Sequence, residues 1–241
     1  ETSRARQAIA PRRTPARAAA KPRFGLIGAG SFATARIIPG LIAAGMQPGR
    51  VTSASGLSAE SARQRFEFES SGAGPDIDLV VVATPHDSHA QLVVEALRRD
   101  VAVYVEKPLA LDWDQLAAVR AALEASAAPL FVGFNRRYAP AARELKLLPG
   151  PRLMHFRVNS GPVPPAHWTN DLELGGGRLK GEGCHFVDFL CDQARADPAR
   201  VTACGFVSDP ALSLAATDNF NLQIQFSDGS VGTISYAADA P

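Results

Sequence analysis

Residues Arg23 to Ala33 read RFGLIGAGSFA, five residues suited to a buried strand followed by Gly28-Ala29-Gly30-Ser31-Phe32-Ala33. The last six form a G-x-G-x-x-A turn, and the apolar run from Phe32 to Ala44 behind them predicts a helix. In such a turn the first glycine permits a sharp bend and the second lets a pyrophosphate approach the backbone. The alanine allows close helix packing, and the helix N-terminus attracts the anion. Gly28, Gly30, Ser31, Phe32 and Ala33 are therefore candidate dinucleotide-binding residues. The pattern is weak alone, and its context decides the fold.

Downstream, short β-rich runs alternate with helical patterns. Strands are expected at Val51–Ser55, Asp78–Ala83, Val101–Val105 and Pro129–Phe134, and helices at Ser58–Phe66, Ser88–Arg99 and Asp112–Ser126. Strands apolar on both faces and separated by helices indicate a doubly wound parallel sheet of the Rossmann type. One stretch does not fit: between the second strand and Asp78, where another strand and helix belong, only EFESSGAGP stands. Beyond about residue 150 the predicted strands lengthen (Leu153–Asn159, Val201–Val207, Asn219–Phe226, Val231–Ala237), and FNLQIQF alternates apolar with polar. Ser227-Asp228-Gly229-Ser230 is a hairpin signal. The expected architecture is α/β + α+β: a leader over 1–22, a dinucleotide-binding domain over 23–134, and a domain over 135–241 built on an open, mainly antiparallel sheet.

The 241 residues are 46% hydrophobic and 20% charged, as in ordinary globular chains. No apolar run approaches the roughly 20 residues of a membrane span. Three cysteines are too few for a disulfide scaffold and fit a reduced, cytoplasmic setting. Seven basic side chains crowd residues 1–23 against Glu1, leaving 18 basic and 23 acidic groups elsewhere. A body of net charge about −5 advertises no nucleic-acid surface. The Ala/Pro/Arg-rich leader reads as a flexible linker, with a targeting peptide or basic arm as alternatives. The ending Asp239-Ala240-Pro241 looks abrupt, as if a final element were cut away.

Ligands of open parallel sheets bind at the carboxyl ends of the strands. Thr84 and Pro85, from Ala83-Thr84-Pro85-His86-Asp87-Ser88-His89, should therefore line a cofactor cleft, with His89 a helix-start residue facing it. No third ligand of suitable spacing accompanies His86 and His89, so no metal is expected. The second strand ends without the acidic residue that grips the ribose of NAD. Ser53 and Ser55 stand there instead, with Arg63 one turn into the next helix. These residues lean toward a 2′-phosphate or are merely turn and cap residues, so NADP and NAD both stay open. The next strand ends in Glu106-Lys107-Pro108. Lys107 would enter the cleft while Glu106 and Pro108 fix the turn, and partial burial would bring its ammonium toward a useful pKa. A solvated strand-end ammonium is the alternative.

GAGSFA, ATPHDSH, VEKP, GFNRRYAP and GGGRLKGEGCHFVD occur in the order seen in the glucose-fructose oxidoreductase/inositol dehydrogenase family, and the resemblance spans about residues 23–237. More narrowly, GLIGAGSFATARIIPGL, GFNRRYAP and GEGCHFVDFL resemble a branch often fused behind a zinc-type alcohol-dehydrogenase-like domain, which would make the leader an interdomain linker. The resemblance implies an NAD(P)-dependent oxidoreductase acting on a carbohydrate or polyol hydroxyl, or on the corresponding ketone. It also implies that Lys107 and His185 flank the reacting carbon. The family's aspartate, four residues before that histidine, is Gly181 here; the neighbouring Glu182 can polarise His185 or merely cap the helix. The family's arginine after a tryptophan is Thr169, while Trp168 can still cover the nicotinamide side. His185, on a helix with Cys184, Phe186, Val187 and Phe189, can also be read as a core histidine, and Cys184 and Cys191 as core packing. Asn135, Arg136 and Tyr138 suit recognition of hydroxyls or carboxylates, whereas Arg137 is expected to face water. An exposed sheet face would favour a homo-oligomer. Two rival readings are a redox-assisted NAD-dependent glycosidase or epimerase and a non-catalytic cofactor-binding module.

Overall fold

The computed structural model describes residues 21–238 apart from 73, 75, 147, 165 and 206–216. The expected leader, the chain end and the tail of the predicted strand Val201–Val207 lie outside the described residues. The chain divides into two compact units that interleave in sequence. One comprises Glu1–Ala83, Gln91–Tyr104 and Ala117–Phe131, and the other Thr84–Ala90, Val105–Leu116 and Val132–Pro241.

The first unit is built on a sheet in the order β3-β2-β1-β4-β5-β6. Its strands are β1 (Arg23–Ile27), β2 (Gln47–Thr52), β3 (Ser70–Ser71), β4 (Leu79–Val82), β5 (Ala102–Val105) and β6 (Leu130–Val132). β1 pairs parallel with both β2 and β4, and β2 with β3. The order reverses between β1 and β4, the switch point at which such sheets bind ligands. The connecting helices are α1 (Ile38–Ala43), α2 (Gly56–Phe66), α3 (His89–Leu97) and α4 (Trp113–Ala125). The helix predicted after the glycine turn begins with a π-wound segment, Ala33–Ile37, before settling into α1. The stretch that did not fit supplies β3, two residues long, and among the described residues no helix separates it from β4. Phe24, Leu26, Val51, Val81, Ile38 and Phe68 are fully buried or nearly so, with Phe24 and Phe68 edge to face at 5.4 Å. At about 25 cal/mol per Å², each such side chain contributes roughly 1.5–3 kcal/mol.

The second unit carries a four-stranded sheet in the order β7-β10-β9-β8, from β7 (Leu153–Asn159), β8 (Pro198–Gly205), β9 (Phe220–Phe226) and β10 (Val231–Ala237). β9 is antiparallel to β10 and β8, whereas β7 runs parallel to β10, so the sheet is mainly antiparallel. The predicted hairpin joins β9 to β10, with Asp228 Oδ1 accepting from the Ser230 amide at 2.9 Å and Gly229 at φ 88°. The short helix α5 (Pro140–Leu145) follows β6, and α6 (Cys184–Ala194) packs on the sheet. Phe186 and Leu190 of α6 meet Phe220, Ile224, Ile234 and Tyr236. A Cβ on Gly232 would lie 2.8 Å from Leu190, so only glycine lets the helix come this close.

The opposite sheet face presents His155, Arg157, Asn159, Arg200, Thr202, Asn221, Gln223, Gln225, Thr233 and Ser235, with Leu153, Val231, Cys204 and Ala237 among them, by alternation with the buried set. It is mostly polar. The argument for self-association from a large apolar face therefore finds no support there. Among the described residues, no helix is long and apolar enough to cross a membrane.

Candidate active site

β1 runs straight into the glycine turn. Gly28 sits at φ 98°, a left-handed conformation that a side chain disfavours, and its amide donates to Thr52 O at 2.8 Å. Ala33 is buried against the core, while Gly30, Ser31 and Phe32 are exposed at the helix start. Nothing lies within 4 Å of the place a Gly30 Cβ would take. A cradle left open by a missing side chain, at a helix start, fits the pyrophosphate of a dinucleotide. Ser55 immediately precedes α2, and its hydroxyl makes no hydrogen bond among the described residues. Arg63 lies two turns into α2 rather than one, because the helix starts at Gly56. It is also engaged: Nε and Nη2 donate to Glu60 at 2.7–3.0 Å. Hydrogen bonds from Arg63, Gln64 and Ser71 draw the Glu60 carboxyl down to about 2.

Within the second unit the structure brings together Lys107, Glu182, His86 and His185. The Lys107 side chain is 15% exposed; Nζ donates to Gly181 O at 2.6 Å and to Glu182 Oε1 at 3.2 Å. Gly181 and Glu182 lie in a π-wound segment, Leu179–Gly183, that leads into α6. The chain reaches it through Gly176 and Gly177, at φ 77° and 71°. Glu182 thus pairs with Lys107 and neither caps the helix nor bonds the imidazole: His185 Nδ1 is buried with no partner. Burial, then the charges of Lys107 and Arg136, push His185 down to about 4, so it is neutral at pH 7.

Arg136 lies with its guanidinium 4.7 Å from the centre of the Phe186 ring, in the turn Asn135–Tyr138, where Asn135 and Tyr138 are exposed. Arg137 does not face water as expected. It forms a two-pronged pair with Asp188, next to Asp192, whose carboxylate also takes Lys146 at 2.6 Å. Asp188 and Asp192 on α6 need that compensation because they are largely buried. Burial pushes the Cys184 thiol up to about 12, which leaves it unreactive.

The loop after β4 corrects one assignment. His89 does not face a cleft: it is 0% exposed, with Nδ1 at 2.8 Å from Pro108 O and Nε2 at 2.9 Å from Thr84 O. It is an internal clamp between that loop and the residue after Lys107. Thr84 Oγ1 shares a 2.7 Å hydrogen bond with Ser88, Pro85 is exposed, and Glu106 is buried. His86, which carried no role in the sequence pattern, is buried with its ring edge-on to Trp168 at 4.7 Å. Only Trp168, Gly175 and Gly181, 82 to 95 residues further along the chain, reveal its company. Among the described residues no three His, Cys, Asp or Glu side chains gather as a metal site.

Comparison with known proteins matches both parts of the chain to family models. Residues 22–134 match the model of an oxidoreductase family with an NAD-binding Rossmann fold, and residues 151–241 match the GFO/IDH/MocA C-terminal domain. Inositol 2-dehydrogenase of Rhizobium meliloti is 30% identical over 168 residues, 68% of this chain and 51% of the relative. Levoglucosan dehydrogenase, solved with NADH and levoglucosan, superposes with a TM-score of 0.80 at 22% identity, over 92% of this chain and 68% of that one. The aldose-aldose oxidoreductase of Caulobacter crescentus, complexed with glycerol, gives 0.80 at 22%, over 90% and 71%. The two structural likenesses are of fold. The chain spans about half the length of the curated relatives it matches.

Proposed function

The chain belongs to the GFO/IDH/MocA oxidoreductase family, with an NAD-binding Rossmann domain, and on that premise we propose that it transfers hydride reversibly between a nicotinamide and a carbinol carbon of a sugar or polyol. The observation that carries this is the ion-paired Lys107 in the company of two neutral histidines. The nicotinamide, when bound, accepts or supplies the hydride. Gly28, Gly30, Ser31, Phe32 and Ala33 would hold its pyrophosphate, with Ser55, Thr84, Pro85 and Glu106 completing the cofactor set.

In the reducing direction, Lys107 Nζ gives a proton to the carbonyl oxygen as it gains charge, and in oxidation the neutral amine takes it back. Glu182 offsets the ammonium charge in the resting state. His185, whose Nδ1 is buried, would bind the same oxygen through its other ring nitrogen, and Asn135, Arg136, Tyr138 and Trp168 would recognise the rest of the substrate. Inositol and levoglucosan, named for the relatives, are the first compounds to try. Absorbance of reduced nicotinamide should change during turnover. Products formed with no such change would point to transient redox in a glycosidase or epimerase, and cofactor binding without isotope exchange into any polyol would overturn the enzymatic reading. The proposal includes a cytoplasmic location, given the free thiols; sedimentation tests the homo-oligomer expected from an exposed sheet face, which the mostly polar face does not itself favour.

Two further outcomes are expected at the cofactor. Gly30→Ala should weaken NADH binding by about tenfold or more while leaving the melting temperature unchanged, because the added methyl meets only the space meant for phosphate. NADH should bind at least about tenfold tighter than NADPH, since Arg63 is committed to Glu60 and Arg65 lies over the Phe66 ring. Fluorescence titration checks both.

A further inference from the structure

The loop after β4 carries two buried imidazoles, and they are used differently. His89 has main-chain carbonyls at both nitrogens. His86 commits only Nδ1, 2.7 Å from Gly175 O. A carbonyl oxygen only accepts, so Nδ1 carries the hydrogen, and in the neutral ring Nε2 is a bare acceptor. Burial, with the Lys107 charge helping and the Gly175 bond opposing, pushes His86 down to about 4, which keeps it neutral at pH 7. Among the described residues nothing donates to Nε2.

The ring is also fixed in place. Trp168 packs against it at 4.7 Å, and a Cβ on Gly181 would stand 3.3 Å from its Cε1. Gly181 is the residue whose carbonyl takes Lys107 Nζ at 2.6 Å. The glycine therefore has the lysine on its carbonyl and the histidine against its side-chain face. An immobile acceptor near a cationic donor matches two neighbouring oxygens of a polyol: the lysine meets the one that reacts, and the histidine takes the hydrogen of the hydroxyl next to it.

We propose that His86 is a substrate-binding residue whose Nε2 accepts the hydroxyl adjacent to the reacting carbon, so that the site selects vicinal diols over simple secondary alcohols. The proposal rests on reading the Lys107 cluster as the proton-transfer site of an oxidoreductase.

The test uses the full chain with NAD and whichever of myo-inositol and D-glucose it oxidises, with cyclohexanol as the substrate lacking the neighbouring hydroxyl. His86→Phe keeps a ring against Trp168 but removes the acceptor, and His86→Asn restores an acceptor. The Phe variant should lose about 10- to 100-fold in kcat/KM for the polyol and clearly less for cyclohexanol, whereas an equal loss on both would overturn the hydroxyl-binding role. The Asn variant should recover part of the loss, and NAD affinity should hold in both. In parallel, ¹⁵N spectra of histidine-labelled protein should show the His86 Nε2 resonance moving when the polyol is added in the presence of NADH. Polyol oxidation that is equally fast in the Phe variant overturns the His86 assignment alone. A moving Nε2 resonance without hydride transfer supports the assignment and overturns the oxidoreductase reading. Absence of both turnover and shift overturns the two together.

Discussion

Lys107→Met is expected to lower kcat by about three to four orders of magnitude, within the range of a lost general acid–base group, while NADH affinity changes little. Methionine matches the length and the burial of the lysine stem but has no proton to give, and it leaves Gly181 O and Glu182 without their donor. The structural cost should be small, on the order of 1 kcal/mol, because Glu182 stays in contact with water. Lys107→Arg should be almost as inactive despite keeping the charge, since a guanidinium does not release its proton near neutral pH. Single-turnover hydride transfer, measured beside the melting temperature, separates loss of chemistry from loss of fold. Turnover within tenfold of the parent would remove Lys107 from the reaction.

Acidification between pH 6.5 and about 4 should destabilise the protein steeply. His86 and His185 both titrate near 4 in the native state, chiefly because burial disfavours the cation. In an unfolded chain an imidazole titrates near 6.5. Between those values the unfolded state binds about two protons that the native state refuses, so stability is complete above 6.5 and drains away as the pH falls toward 4. The loss reaches about 3 kcal/mol per histidine at most. Asp188 works against it, since burial raises its carboxyl and the native state takes up that proton more readily. Glu60, drawn down to about 2, loses its contribution only below about 4.5, so it barely overlaps the histidine window. Urea midpoints at pH 7, 6 and 5 measure the slope, and His185→Phe should remove about one proton from it. A flat profile from pH 7 to 5 would show that the two rings are not buried neutral.

What the sequence made legible was whatever depends on neighbours along the chain. The turn Gly28–Ala33, the alternation of apolar strands with helices and the Ser227–Ser230 hairpin are local signals, and each appears, although the second strand runs Gln47–Thr52 rather than the expected Val51–Ser55 because pairing with β1 draws in Gln47–Arg50. β3 escaped because two serines carry no strand pattern; only pairing with β2 defines them. The roles of His86, His89 and Arg137 were hidden for a related reason. Their partners, Gly175, Pro108 and Asp188, lie 89, 19 and 51 residues away, and nothing in ATPHDSH or NRRY says which ring or guanidinium turns inward. Glu182 shows a subtler limit. Counting back three from His185 puts the two on one face of an ideal α-helix, but the segment Leu179–Gly183 is wound more loosely and delivers the carboxylate to Lys107. The mostly polar outer face of the second sheet was readable in FNLQIQF; inferring self-association from it needed a large apolar surface, and Leu153 beside Val231 is only a small one.

The shortest hydrogen bond of Lys107 ends on a main-chain oxygen. Every amino acid brings that atom, so mutational drift at position 181 leaves the anchor of the lysine in place, whereas drift at position 182 erases its charge partner. Descendants of this chain can therefore reshape one position without retraining the lysine, and the limit on that freedom is set by how far the neighbouring imidazole yields.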